Sequence, residues 1–240
     1  MTDEYLSEPG SPEDLYSDWG EAPPYTRPVM QGDVFERIVV PGMGNKQRRV
    51  QVVMHPCSMR RGPQLRERVT VVPLKSNYPT IDSKVWKTHG KVMPLPDLLG
   101  VDSGYWASDL CEPVSLPAAE LSKEKRVAAL SDEGVLLLQQ RLIFFQTRFL
   151  VDVDALYEAA APNFVERDLE EEWVTAALEA ALEGGSEIED LRSSVIGDFH
   201  AWLDEADGDQ ASRRERLKAE RERAAIRREA LREIAARYES

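Results

Sequence analysis

Apolar positions along this chain change rhythm twice. Residues 32–40 (Gly32-Asp33-Val34-Phe35-Glu36-Arg37-Ile38-Val39-Val40) alternate and are β-branched, which predicts a strand. The cluster Pro41-Gly42-Met43-Gly44-Asn45 predicts a turn. Residues 49–54 and 68–74 predict two further strands, the first ended by Pro56. From 75 to 115 the pattern loosens. Val85-Trp86-Lys87 and Val92-Met93-Pro94-Leu95 read as edge strands, because proline cannot donate to a central ladder. Short strands joined by Gly, Pro and Asn turns imply a strongly bent sheet or a small barrel.

After Pro117 the period becomes helical. Ser131-Asp132-Glu133 supplies an N-cap and first-turn acids, and residues 135–149 are apolar on nearly every face, which predicts a buried helix. Val151-Asp152-Val153 reads as a short return strand. Asn163 or Asp168 is the expected cap of the next helix, whose apolar positions run from Trp173 to Leu182 and which Gly184-Gly185 stops. Ile188, Leu191, Val195, Ile196, Phe199 and Trp202 mark another amphipathic run, broken at Gly208 and Asp209. Residues 212–238 contain no Gly or Pro and predict a long charged helix with a stripe of Leu217, Ala224, Leu231 and Tyr238. One apolar residue per heptad is narrower than a coiled-coil seam. Such a helix is either an arm that binds a partner or phosphate, or a solvated helix held by charge pairs among Glu229, Arg232, Glu233 and Arg237.

The expected fold class is therefore α+β. Residues 1–29 read as a disordered acidic tail, punctuated by Pro and Gly, in which Glu13–Trp19 is a candidate docking segment. Residues 30–115 form the β domain, 116–209 an acidic helical region and 210–240 the charged C-terminal helix. Charge follows the same blocks. The net charge of −13 divides into about −6 over residues 1–29, +4 over 30–115, +1 over 116–150, −16 over 151–209 and +4 over 211–240. Two cysteines, Cys57 and Cys111, are too few for a disulfide scaffold. With no apolar run long enough to span a bilayer and no apolar leader at the N-terminus, the expectation is a cytoplasmic, bacterial-type protein that does not engage a membrane.

Three segments carry a family resemblance. They are Gly32-Asp33-Val34-Phe35, the basic loop Lys46-Gln47-Arg48-Arg49-Val50 leading into Gln51-Val52-Val53-Met54, and Val69-Thr70-Val71-Val72-Pro73-Leu74-Lys75-Ser76. Together, over residues 31–76, they resemble the MazF/PemK-like toxin family. The resemblance implies an SH3-like barrel, and in many members metal-independent cleavage of single-stranded RNA. Carried onto this chain, it places Arg48 at the family's arginine. Lys75 stands where the family has a hydroxyl, with Ser76 one step on.

Independently of that resemblance, Arg48, Arg49, Arg60, Arg61 and Arg66 cluster near the predicted turns and can bind RNA or DNA phosphates, with Trp86, Tyr78 and His89 as candidate stacking groups. The acidic segment could instead neutralise that edge. His55-Pro56-Cys57 follows a strand, so Cys57 is a candidate nucleophile with histidine as base. A site formed by His55, Cys57, His89 and Cys111 lacks metal-binding spacing, so no metal and no cofactor are expected. His200, between Phe199 and Trp202, reads as a packing or surface histidine.

The leading expectation is a non-enzymatic interaction or adaptor protein in a toxin–antitoxin-like or phage-defence-type assembly, with a protein partner bound through the N-terminal tail or the C-terminal helix. The alternative is a MazF/PemK-like RNA-binding protein or endoribonuclease using Arg48, Lys75 and Ser76.

Overall fold

A computed structural model describes residues 5–79, 81–184, 188–206 and 211–238. It divides into two compact units, Met1–Pro24 with Val29–Ala159, and Tyr25–Pro28 with Ala160–Ser240.

The first unit holds nine strands: β1 (Val34–Val39), β2 (Gln47–Val52), β3 (Arg60–Arg61), β4 (Gln64–Leu65), β5 (Arg68–Lys75), β6 (Val92–Pro96), β7 (Tyr105–Asp109), β8 (Val114–Pro117) and β9 (Arg126–Ala128). Seven of them form one curled antiparallel sheet, a half-barrel, in the order β6-β7-β5-β2-β1-β9, with β8 also on β5. β5 is the hinge of the curl. Its first half pairs with β8 (Val69 opposite Leu116) and its last two residues pair with β7 (Lys75 opposite Ala107). β2 takes its other edge. The inner face is apolar, with Phe35, Ile38, Val50, Val52, Met59, Val69, Val71 and Leu116 fully buried. β6 carries Pro94 and Pro96 at the sheet margin, the one setting where missing ladder donors cost little. β3 and β4 form a separate hairpin after the short helix α1 (Pro56–Met59).

The other expected edge strand is instead helix α2 (Ser83–Thr88). The side chain of Asp82 accepts a hydrogen bond from the Val85 amide at 2.9 Å. A competent N-cap therefore outweighs the β-propensity of Val85 and Trp86. Helix α3 (Asp132–Thr147) begins where expected, with Ser131 Oγ accepting from the Gly134 amide at 3.0 Å. It is buried from Gly134 to Leu138 and again at Gln140 and Arg141, whereas Leu142 to Phe145 are only half-buried and Phe149 is 73% exposed.

The N-terminal segment is not a free tail from Tyr5 onward. Leu15 is fully buried, and Tyr16 forms a bridge with Leu130 while its hydroxyl donates to the Pro96 carbonyl. The Trp19 indole donates to the Asp97 carbonyl at 2.8 Å. Tyr16 and Trp19 are therefore anchors: the first is buried, the second half-buried, and each satisfies its one polar atom. Arg126 on β9 continues the tether. It is wholly buried, paired with Asp33 at 3.0 Å, and donates to the Pro24 carbonyl at 2.7 Å.

There is neither a return strand at 151–153 nor a helix start at Asn163 or Asp168. One helix, α4 (Val153–Gly184), runs through Pro162. Proline there forfeits one backbone hydrogen bond, and burial of Ala160, Ala161 and Phe164 on either side offsets it. Helix α5 (Ile188–Asp204) follows. The expected break at Gly208 and Asp209 lies outside the described residues. The last segment is two helices, α6 (Arg213–Arg216) and α7 (Glu220–Tyr238). Its buried positions are Leu217, Ile226, Ala230 and Ile234, and Leu231 is 46% exposed. Of the seven-residue stripe, Leu217 lies in the core and Tyr238 packs against it, while Ala224 and Leu231 are exposed.

Trp173 centres the second unit, within 5.6 Å of the Phe199 ring and 5.4 Å of Trp202. His200 is buried beside them. Arg214 can only donate, at 2.8 Å to Nδ1, so Nε2 carries the imidazole proton toward Glu170 at 3.3 Å. Arg213 and Arg216 both engage Glu229, and Arg237 pairs with Glu233 one turn back at 2.7 Å.

Candidate nucleic-acid interface

The strand ends of β1, β2, β5 and β7 enclose a groove of about 360 Å3. Its lining includes Arg37, Lys46, Arg48, Arg49, Ser76 and Trp106. A β-bulge in β1 puts Arg37 in a left-handed conformation, φ 58°, and its guanidinium donates to the Glu124 carbonyl at 3.0 Å. The β1–β2 turn supplies Lys46, and β2 supplies the two arginines. Arg49 lies over the Trp106 ring at 4.7 Å and pairs with Glu36 at 3.2 Å. Arg48 is half-buried; its Nε is sealed from solvent with no acceptor, and it has no carboxylate partner among the described residues. Four cations thus face one carboxylate, Glu36, which already bridges Arg37 and Arg49.

Of the residues expected to act together, Arg48, Arg49 and Ser76 share this groove. Lys75 does not line it. Strand alternation turns Lys75 to another cavity, where it pairs with Asp109. Arg60 and Arg61 sit on the β3–β4 hairpin and Arg66 just beyond it, and none of the three lines the groove. Arg60 donates to the Val29 carbonyl at 3.2 Å. Trp86 is corrected outright: it is 5% exposed, with the Arg141 guanidinium 4.8 Å from its ring, and offers no stacking surface. The aromatic at the groove is Trp106. Its strand, Tyr105-Trp106-Ala107-Ser108-Asp109, has no polar–apolar alternation, so no local signal in the sequence marks Trp106 as a groove residue.

His55 and Cys57 do meet. His55 caps α1, and its Nδ1 lies 2.9 Å from the Cys57 sulfur. Burial holds the imidazole pKa below its ordinary value, which favours the neutral ring near pH 7 and disfavours its taking up the thiol proton. His89 and Cys111 are elsewhere, lining the Lys75 cavity. Among the described residues no three His, Cys, Asp or Glu side chains converge as a metal site, and no helix is long and apolar enough to cross a membrane.

The chain matches no protein-family model and no curated protein.

Proposed function

We propose that this protein works by binding rather than by catalysis, and that the β-sheet groove takes the phosphate backbone of a single-stranded nucleic acid, RNA in the first instance. The observation that carries this reading is Arg48, a half-buried guanidinium with no carboxylate partner among the described residues, set in the groove among three further cations and an aromatic ring. A phosphate would supply the missing counter-ion, and Trp106 offers a π-face to a base. The likeness to MazF/PemK-like toxins is supported by Arg48 and Ser76 sharing one groove. Cleavage is less well served. It needs a group free to take the 2′-hydroxyl proton, and Glu36 is occupied by two arginines while Lys75 lies elsewhere.

Fluorescence anisotropy with a short labelled single-stranded RNA tests this. Affinity should fall steeply with salt, and Arg48→Ala should weaken it about tenfold, without RNA cleavage by wild type. Binding that is absent, or unchanged in Arg48→Ala, would sink the proposal. Cleavage lost in Arg48→Ala would favour an endoribonuclease.

A second reading, the adaptor of a toxin–antitoxin-like or phage-defence-type assembly, rests on the helical unit. Asp168, Glu171, Glu172 and Glu179 line a cleft of about 580 Å3 with half-exposed Leu231 and a single arginine, Arg227. That pairing of acid and apolar surface suits a basic amphipathic segment of a partner. Glu179→Lys with Leu231→Glu should abolish partner capture if the cleft is used. Deleting residues 211–240 would instead remove core residues Ile226, Ala230 and Ile234.

A further inference from the structure

On the side of β5 that Lys75 faces lies a larger cavity, of about 570 Å3, within the usual size range of small-ligand sites. It is separate from the groove: Leu74 and Ser76 line the one, Lys75 the other. Two aromatic side chains, Tyr78 and Phe144, contribute to its lining, and its charge is lopsided. Lys75, Lys91 and Arg148 line it against a single carboxylate, Asp109. That carboxylate is already engaged by Lys75 and by the Cys111 amide, at 3.0 Å from the latter. Among the described residues Lys91 and Arg148 have no carboxylate partner, so two cations of the lining are left without a counter-ion.

The wall that carries Lys91 is rigidly built. Arg141, fully buried on α3, donates to the carbonyls of His89 and Val92 at 3.2 Å each, and to that of Trp86. Burial pushes its pKa down to about 9, which still leaves it charged at neutral pH. Its charge is thus spent on clamping the loop from Trp86 to Val92. Gly90 in that loop lies against the Phe144 ring so closely that a Cβ would come within 2.4 Å of it. Opposite, Arg148 caps α3 in a left-handed conformation, φ 64°, with its amide bonded to the Phe144 carbonyl at 2.8 Å and its guanidinium 5.7 Å from the Phe144 ring. A buried charged clamp behind a loop that presents a cation beside an aromatic wall is a costly arrangement for a surface dent, and a pre-formed one for a ligand.

From this arrangement we infer that the cavity binds a nucleoside monophosphate-type ligand, its base between Tyr78 and Phe144 and its phosphate on Lys91 and Arg148. The site is independent of the groove and of the reading given to it.

Isothermal titration of the full chain with the four ribonucleoside 5′-monophosphates tests the inference, with adenosine and inorganic phosphate as the partial probes. At least one monophosphate should bind with one-to-one stoichiometry and a Kd below about 1 mM, about tenfold or more tighter than either partial probe. Lys91→Glu with Arg148→Glu, both exposed positions, should weaken it about tenfold or more without altering the ligand-free melting temperature. The same double variant should keep wild-type affinity for single-stranded RNA, and Arg48→Ala should keep wild-type affinity for the monophosphate. The inference is overturned if none of the four saturates, if the double variant binds as wild type, or if adenosine or phosphate alone binds equally well.

Discussion

Lys75 and Ser76 are neighbours in the chain and line different cavities: Lys75 reaches Asp109, and Ser76 lies in the groove with Arg48. The alternation of a single strand end therefore separates two residues that a linear motif would group, and assigns one to the groove and the other to the second cavity.

Removing Lys75 should accordingly leave RNA binding within about twofold of wild type, since its charge is directed away from the groove. Lys75→Ala should cost about 0–1 kcal/mol, because the lysine side chain is half-exposed. The pH dependence has two limbs. Burial opposes ionisation of Asp109, but the hydrogen bonds from Lys75 and the Cys111 amide outweigh it and hold the carboxyl below its ordinary value. The contribution is then present above the unfolded carboxyl pKa and lost as pH falls through the lowered folded value. The hydrogen bond to Asp109 raises Lys75, so that side of the pair persists below the unfolded lysine pKa and is lost as pH rises through the raised one. Wild type minus Lys75→Ala stability, measured by denaturant unfolding across pH, should show a plateau between those limits.

The two tryptophans of the β unit should behave oppositely. Trp106→Ala should weaken single-stranded RNA binding by about 1–3 kcal/mol with little change in melting temperature, as loss of a stacking platform does. Trp86→Ala should cost about 3–5 kcal/mol of stability and leave the intrinsic affinity of the folded protein unchanged. Anisotropy titration and thermal melting of both variants decide it, and the opposite assignment would exclude Trp106 from the interface.

Packing of the N-terminal segment can be broken at one position. A Cβ on Gly134 would meet the Leu15 carbonyl at 2.3 Å, and that same carbonyl accepts from the Ser131 amide at 2.9 Å. Gly134→Ala should therefore dislodge residues around Leu15 and Tyr16. Limited proteolysis followed by mass spectrometry should find residues 5–24 protected in wild type and cleaved in the variant.

The two thiols should also differ. Both are exposed, but only Cys57 has an imidazole nitrogen against its sulfur. Burial, and then the Asp109 carboxylate beside it, raise the Cys111 thiol pKa. Iodoacetamide at pH 7.5 should label Cys111 more slowly than Cys57, because a raised thiol pKa leaves less thiolate at Cys111.

Alternation, turn residues and caps marked β1, β2, β5, the Pro-bearing margin strand, the Ser131 cap and the helical second half, because each of these signals is local. The α+β class follows from them; Arg48, expected in the basic loop ahead of the second strand, is instead on β2 with Arg49. Which residues share a cavity was not legible. Lys75 and Ser76 part because of sheet pleating, and Trp106 joins Arg49 only because β5 pairs with both β2 and β7. Trp86 is not an available ring because the guanidinium of Arg141, fifty-five residues on, lies 4.8 Å from its centroid. The acidic N-terminus looked unable to fold by itself, and its order depends on Leu130, Pro96 and Asp97, partners contributed by distant parts of the chain. The sequence by itself determined the α+β class and the elements with strong local signals, such as β1, β2, β5 and α3, since short-range hydrogen bonding and side-chain period decide those, but not α2 or the start of α4. Only the tertiary structure decided which charges are spent inside the fold and which stand ready for a ligand, because that depends on burial and on partners far away in sequence.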